Sequence, residues 1–177
     1  YSTANEDTVA IGLKAGQYAA GKENAYLGFQ AGASDIGNIG KQTGNQNTAI
    51  GWNSFYNGSG KNNAYLGAFS GNNAVGNDNV AMGHYAGGFL GGNDNVSVGS
   101  GAGYGLTGSN NIAIGDGAGA RLSGANNISI GYLAGPTTGV NTDNAIAIGK
   151  HATADATDAM SLGNTATADS YTSVAIS

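Results

Sequence analysis

A glycine recurs along this chain at Gly12, Gly28, Gly51, Gly67, Gly83, Gly99, Gly115, Gly131, Gly149 and Gly163, in steps of 16, 23, 16, 16, 16, 16, 16, 18 and 14. One more of the shortest steps reaches Ser177, where "SVAIS" repeats the motif without its glycine. Eleven copies therefore fill the 177 residues, which read as one repeat domain. The 16-residue coils occupy 1–140 and the 14-residue coils 141–177. The step of 23 is one period plus seven residues, which places an insertion loop at 34–44, "SDIGNIGKQTG". A fixed period of this size constrains the fold more than any other feature, because each copy is one small unit that buries its apolar face only by stacking on its neighbours.

Aligning the copies on the glycine turns the sequence into columns. Immediately before it stand Ile11, Leu27, Ile50, Leu66, Met82, Val98, Ile114, Ile130, Ile148 and Leu162, an unbroken aliphatic column expected to form structural core. Three positions before it the residues are again mostly aliphatic, from Val9 to Val174. Between the two runs a small column, Ala49, Ala81, Ser97, Ala113, Ser129 and Ala147, interrupted by Tyr26 and Tyr65. Apolar residues two apart, many β-branched and bounded by Gly and Asn, predict a strand. No segment has the glycine-free 3.6-residue period of a helix. A second glycine column nine positions on (Gly21, Gly60, Gly76, Gly92, Gly108, Gly124) predicts a second turn, leaving room for two strands per coil. The expectation is an all-β parallel β-solenoid of 10–11 short coils, on the order of 50 Å long at one strand spacing per coil.

Both faces of the predicted strand are uncharged, which is how a parallel strand covered on both sides reads. One chain alone would expose an apolar stripe along its whole length, well above the few hundred Å² that a soluble monomer usually shows. Self-association is therefore expected, and three copies about a long axis would hide the stripe.

Composition excludes several classes. Hydrophobic residues make up 40 % of the chain and recur in register, unlike a disordered segment. The 33 glycines do not fall on every third residue, so this is not collagen. With no cysteine there are neither disulfides nor thiolate metal sites. Six scattered Lys and Arg in a chain of net charge −5 make no basic stripe for nucleic acid. No apolar run approaches the roughly 18 residues of a membrane span, so no direct membrane insertion by this segment is expected.

The motifs "TVAIG", "NAIAIGKHATA", "AMSLGNTATA" and "SVAIS" resemble the head repeats of YadA-like trimeric autotransporter adhesins, and the match is best over the shorter copies near the C-terminal end. The middle copies depart in period and in carrying "AG" after the anchor. The resemblance implies a left-handed parallel β-roll, assembled as a homotrimer. It implies a place outside the cell on a bacterial outer membrane, attaching the cell to a surface, a matrix protein or a glycan. Similar repeats occur in phage tail fibres, so a structural or receptor-binding segment of a virion tail fibre is the alternative. An ice-binding solenoid would need a persistent Thr rank, which the central coils lack.

The chemistry of the side chains points the same way. His84 and His151 are the only histidines and lie in distant coils, so no catalytic set and no cofactor are expected. A column of Asn24, Asn47, Asn63, Asn79, Asn95, Asn111 and Asn127 predicts an amide ladder between coils. Beside it runs an acidic or amide column that includes Asp7, Glu23, Gln46, Asn62, Asp78, Asp94, Asn110, Asn126, Asn144 and Asp158. Calcium is one reading of that column, but the Gly-Gly-x-Gly-x-Asp nonapeptide of calcium β-rolls is absent, and turn capping is expected instead. Binding should sit where the columns vary. Most of the rings after the anchor, such as Tyr18, Phe69, Tyr85, Phe89 and Tyr104, are expected to wedge neighbouring subunits together. The candidate ligand contacts are Asp35, Ile36, Asn38 and Lys41 of the insertion, with Trp52, Phe55 and Tyr56 directly after it.

Overall fold

The computed structural model describes residues 7–38, 44–137 and 141–177. Three-residue strands begin the coils: β1 Val9–Ile11, β2 Ala25–Leu27, β3 Thr48–Ile50, β4 Ala64–Leu66, β5 Val80–Met82, β6 Val96–Val98, β7 Ile112–Ile114, β8 Ile128–Ile130 and β9 Ile146–Ile148. Then follow β10 Thr153–Ala154, β11 Met160–Leu162, β12 Thr167–Ala168 and β13 Val174–Ile176. Strands β1 to β9, β11 and β13 form one 11-stranded sheet in which sequence order is spatial order. Every neighbouring pair is parallel, and the columns read from the sequence are the observed register: Val80 pairs with Val96, Ala81 with Ser97 and Met82 with Val98. The chain is a parallel β-solenoid of about ten turns.

The return side differs from expectation. A 16-residue coil carries one strand, not two. Opposite the sheet lies only a single-residue parallel ladder, Ser59, Val75, Gly91, Thr107, Ser123 and Asn141. The reason is the run of left-handed residues after the anchor, such as Phe69, Gly71 and Asn73 (φ 57°, 62° and 54°), which coils the backbone into turns where a strand would need it extended. In the shorter coils only the first of these positions stays left-handed (His151 and Thr165, φ 55° and 59°), and the two-residue strands β10 and β12 do pair.

The core also differs. The column Ile11, Leu27, Ile50, Leu66, Met82, Val98, Ile114, Ile130, Ile148 and Leu162 lies on the outer side of the sheet, not inside the coil. Leu66 is 43 % exposed and Ile114 38 %. The buried column is the small one: Tyr26, Ala49, Tyr65, Ala81, Ser97, Ala113, Ser129, Ala147 and Ser161. One coil is too narrow to hold an aliphatic ladder and its return side together, so the alternation of the strand turns the small residues inward. Volume is matched in the coils of β4 to β7. Where the central strand residue is Ala81, Ser97 or Ala113, the facing buried residue is Leu90, Leu106 or Leu122; where it is Tyr65, that position is Ala74. The two tyrosines lie over glycines: a Cβ on Gly71 would stand 2.5 Å from the Tyr65 ring, and one on Gly32 2.4 Å from Tyr26. Burial pushes both phenols well above the usual tyrosine pKa.

Two columns make the stacking possible. The asparagines Asn24, Asn47, Asn63, Asn79, Asn95, Asn111 and Asn127 are buried and bonded from coil to coil. Asn95 is typical: its backbone N–H donates to Asn79 Oδ1 at 3.0 Å, and its Nδ2 donates to the same oxygen at 3.1 Å and to the Gly108 carbonyl at 2.9 Å. Its own Oδ1 accepts from the Asn111 backbone N–H at 3.0 Å. The ladder stops at Asn127, whose Oδ1 accepts from Ala145 N at 2.8 Å, and the shorter coils beyond fill their interior with alanines such as Ala147, Ala154 and Ala159. The neighbouring acidic or amide column, from Asp7 to Asp158, has φ of 57–61° throughout, the conformation that Asn and Asp tolerate best among residues with a Cβ.

Candidate functional site

Two surfaces distinguish this molecule from an inert rod. The first is the outer face of the large sheet, lined by the residues immediately before and three before each anchor glycine. From Val9 to Ile176 neither column contains a charged residue. The second is a corner that begins directly after the anchor.

At this corner the period brings together rings from successive coils, a full repeat apart in sequence. Trp52 packs against Phe69 with centroids 5.0 Å apart, and Phe69 stacks nearly parallel on Tyr85 at 4.7 Å. His84 meets the Tyr85 ring edge-on at 4.6 Å. Tyr104 continues the run at 6.1 Å from Tyr85 and turns towards Phe89 at 5.6 Å. Gly88 forms the bed of this ring: a Cβ there would approach Tyr104 Cδ2 to 3.1 Å. Six rings thus span four consecutive coils, with Trp52 55 % and Phe89 50 % exposed.

The backbone shows that these rings are not demanded by the coil. Phe69, Tyr85 and Phe89 sit at φ 57°, 56° and 54°. A left-handed conformation costs a residue with a side chain about 1–2 kcal/mol, and glycine is exempt. Equivalent left-handed positions hold Gly101, Gly117 and Gly105 in some coils and Lys14, Gln30, Asn53, Leu133, His151 and Arg121 in others. Between Trp52 and Tyr104 the charged residues are Lys61, Asp78 and Asp94, all at the opposite corner beside the asparagine ladder. The patch ends where Asp116 and Arg121 appear, both exposed.

The residues expected at the contact region divide. Trp52 is the exposed start of the patch. Phe55 is not a surface residue: it is fully buried and stacks on Tyr65, centroids 5.0 Å apart. Its coil has the small Ala49 at the strand centre, and Gly58 makes room, since a Cβ there would lie 2.3 Å from the Phe55 ring. Asp35 joins the insertion to the next coil. Its backbone N–H donates to Asn57 Oδ1 at 2.8 Å, and its carboxylate accepts from Asn57 Nδ2 at 2.9 Å and from the Tyr56 hydroxyl. Those donors hold the Asp35 carboxyl below its usual pKa, the Tyr56 bond first, while the Tyr56 phenol is pushed up to about 12. The clamp is therefore complete above the ordinary aspartate pKa, lost as pH falls through the lowered value, and lost again as pH rises through that of Tyr56. Ile36, 74 % exposed, opens a short 3-10 turn, Ile36–Asn38, which Asn38 closes. Lys41 lies outside the described residues.

Phe69, Tyr85, Phe89 and Tyr104, expected from the sequence between subunits, form one run with Trp52 and His84, a grouping the sequence reading does not contain. Its signal is present as ring positions recurring at one place in the period. Among the described residues no three His, Cys, Asp or Glu come close enough to hold a metal ion. No helix among them is long and apolar enough to cross a membrane. Comparison with protein-family models, with curated protein sequences and with solved structures gives no match for this chain.

Proposed function

We propose that this chain is a non-enzymatic adhesive head: a left-handed β-roll that assembles as a homotrimer outside a bacterial cell and attaches it to a surface by many repeated contacts. The observation that carries the reading is the outer face of the 11-stranded sheet, uncharged and mostly aliphatic from β1 to β13. A face about 50 Å long at one strand spacing per coil is far more apolar surface than a soluble monomer exposes. Three copies that turn these faces to a common axis bury them and leave the corners free. A rigid rod presenting each corner three times needs no pocket, because linked weak contacts multiply.

Light scattering tests the assembly. The expected mass is three chains, and a stable monomer would overturn the reading. Leu66→Lys with Ile114→Lys changes two side chains that stand outside the single coil, so the solenoid should form while the mass falls to one chain. Beads coated with this variant should attach at least about 100-fold more weakly than beads bearing the wild type, the usual scale of lost avidity.

A further inference from the structure

We infer that the subunits meet edge to edge and in register, so that the residue directly after the anchor glycine of one copy abuts the acidic or amide column of the next copy at the same level of the rod. The inference rests on the trimeric reading and names the contacts that close the trimer. Each strand of the outer face has two edges. The entering edge is the acidic or amide column from Asp7 to Asp158, and the leaving edge is the first residue after the anchor, from Leu13 to Asn164. In the coil of β5 these are Asp78 and His84, both exposed. When the faces turn inward about one axis, the leaving edge of each copy comes to the entering edge of the next, as in any cyclic assembly. Rotation about an axis along the rod moves no residue along it, so a closed ring pairs the two edges of the same coil, whereas a slip would give an open helix. The rest of each corner, from the second residue after the anchor onward, stays outside the contact.

The charges on the two edges fit that register. Only His84, Asp116 and Lys150 of the leaving edge are acidic or basic. In register His84 meets Asp78, and Lys150 meets Asn144 with Asp143 beside it. Asp116, the one acid, falls opposite an amide, Asn110. Of the other acids on the entering edge, Asp94 meets Ser100 and Asp158 meets Asn164, side chains that donate hydrogen bonds, while Asp7 and Glu23 meet Leu13 and Phe29. No level sets like charges together. A slip of one coil towards the N-terminal end would set Asp116 against Asp94, a like-charge contact that works against assembly. The entering edge also presents oriented acceptors. Asn62 Nδ2 donates to Asp78 Oδ1 at 2.9 Å, and Asn144 Nδ2 donates to Asp158 Oδ1 at 2.9 Å, which engages one oxygen of each carboxylate. The second oxygen of Asp78 can accept from the His84 ring N–H of the neighbouring copy.

The chain has no cysteine, so paired cysteines read this contact without background. The variant His84→Cys with Asp78→Cys is treated with a short bis-maleimide. Within one chain these positions lie at opposite edges of the face, roughly 20 Å apart at the rise of a strand and out of the reagent's reach. Across the interface they are neighbours, and linking every edge joins three chains into one covalent trimer. His84→Cys with Asn126→Cys is the mismatched pair, three coils out of register. It should give at least about tenfold less covalent trimer, because a linker that cannot span two sites scarcely joins them. Asp94→Cys with Ser100→Cys, one coil on, should match the first pair. Covalent trimer from neither matched pair, equal yield from the mismatched pair, or dimers from His84→Cys alone would each overturn the inference, the last because like edges would then meet. The mass of the wild type in solution separates the two readings. A wild-type monomer would sink the trimer and the register together, and a trimer linked only out of register would sink the register alone. A wild-type dimer closed by the matched pair would sink the trimer and leave the edge contact standing.

Discussion

At the scale of the residue, glycine is required here for two different reasons. Gly76 has φ 124°, outside the range of ordinary L-residues, and a Cβ on it would stand 1.8 Å from the Gly92 carbonyl oxygen of the next coil. Gly101 has φ 62°, which other residues adopt at modest cost, and open space where its Cβ would go. Gly76→Ala should therefore remove more than about 4 kcal/mol, the range reached by severe steric faults, whereas Gly101→Ala should cost only about 1–2 kcal/mol, the left-handed penalty alone. Urea denaturation of the two variants separates these cases, and equal losses would show that coil stacking does not set the glycine column. The glycines were visible in the sequence as a period. Which of them are close-approach residues was not, because that depends on a carbonyl one full period away in the chain.

At the scale of the element, a strand of three residues is held less by its own propensity than by what flanks it. The asparagine ladder ties each strand's entrance to the coil before and the coil after. Asn95→Ala would leave the Gly108 carbonyl and the Asn111 N–H without their side-chain partners inside the coil. Each such buried orphan costs about 1–3 kcal/mol, so the variant should lose roughly 2–6 kcal/mol. Hydrogen exchange should show faster exchange at Asn111 and its neighbours while distant coils stay protected; a uniform change along the rod would count against a local ladder. The ladder was legible in advance because identical residues recurring once per period leave parallel stacking as the simple geometry. The missing second strand was not legible, since aromatic residues such as Phe69 and Phe89 ordinarily favour strands and here lie in left-handed turns.

For the whole molecule, stability is a sum over coils and the contacts between neighbouring coils. Removing residues 84–99, one full period, joins Gly83 to Ser100 and keeps every column in register. That variant should fold with one strand fewer and keep nearly the same resistance to proteolysis. Deleting Ser97 alone brings Val98 to the inward place of β6, where the column holds Ala or Ser, and moves Gly99 out of its stack. That variant should be cleaved rapidly under the same conditions, and comparable resistance of the two variants would show that register is not what the repeat encodes.

The sequence by itself determined the number of coils, the parallel register, the turn positions and the insertion, because each is a property of spacing along one chain, and spacing survives folding unchanged. The tertiary structure alone decided which face of the strand turns inward. It placed Phe55 inside against Tyr65 and left Trp52 outside against Phe69. Both are aromatic residues three positions apart in one coil, and nothing in their identity separates them. The separation comes from the free volume of the coil: Ala49 and Gly58 leave a space that one ring fills, and the next ring has only the surface and the rings of the coils beside it.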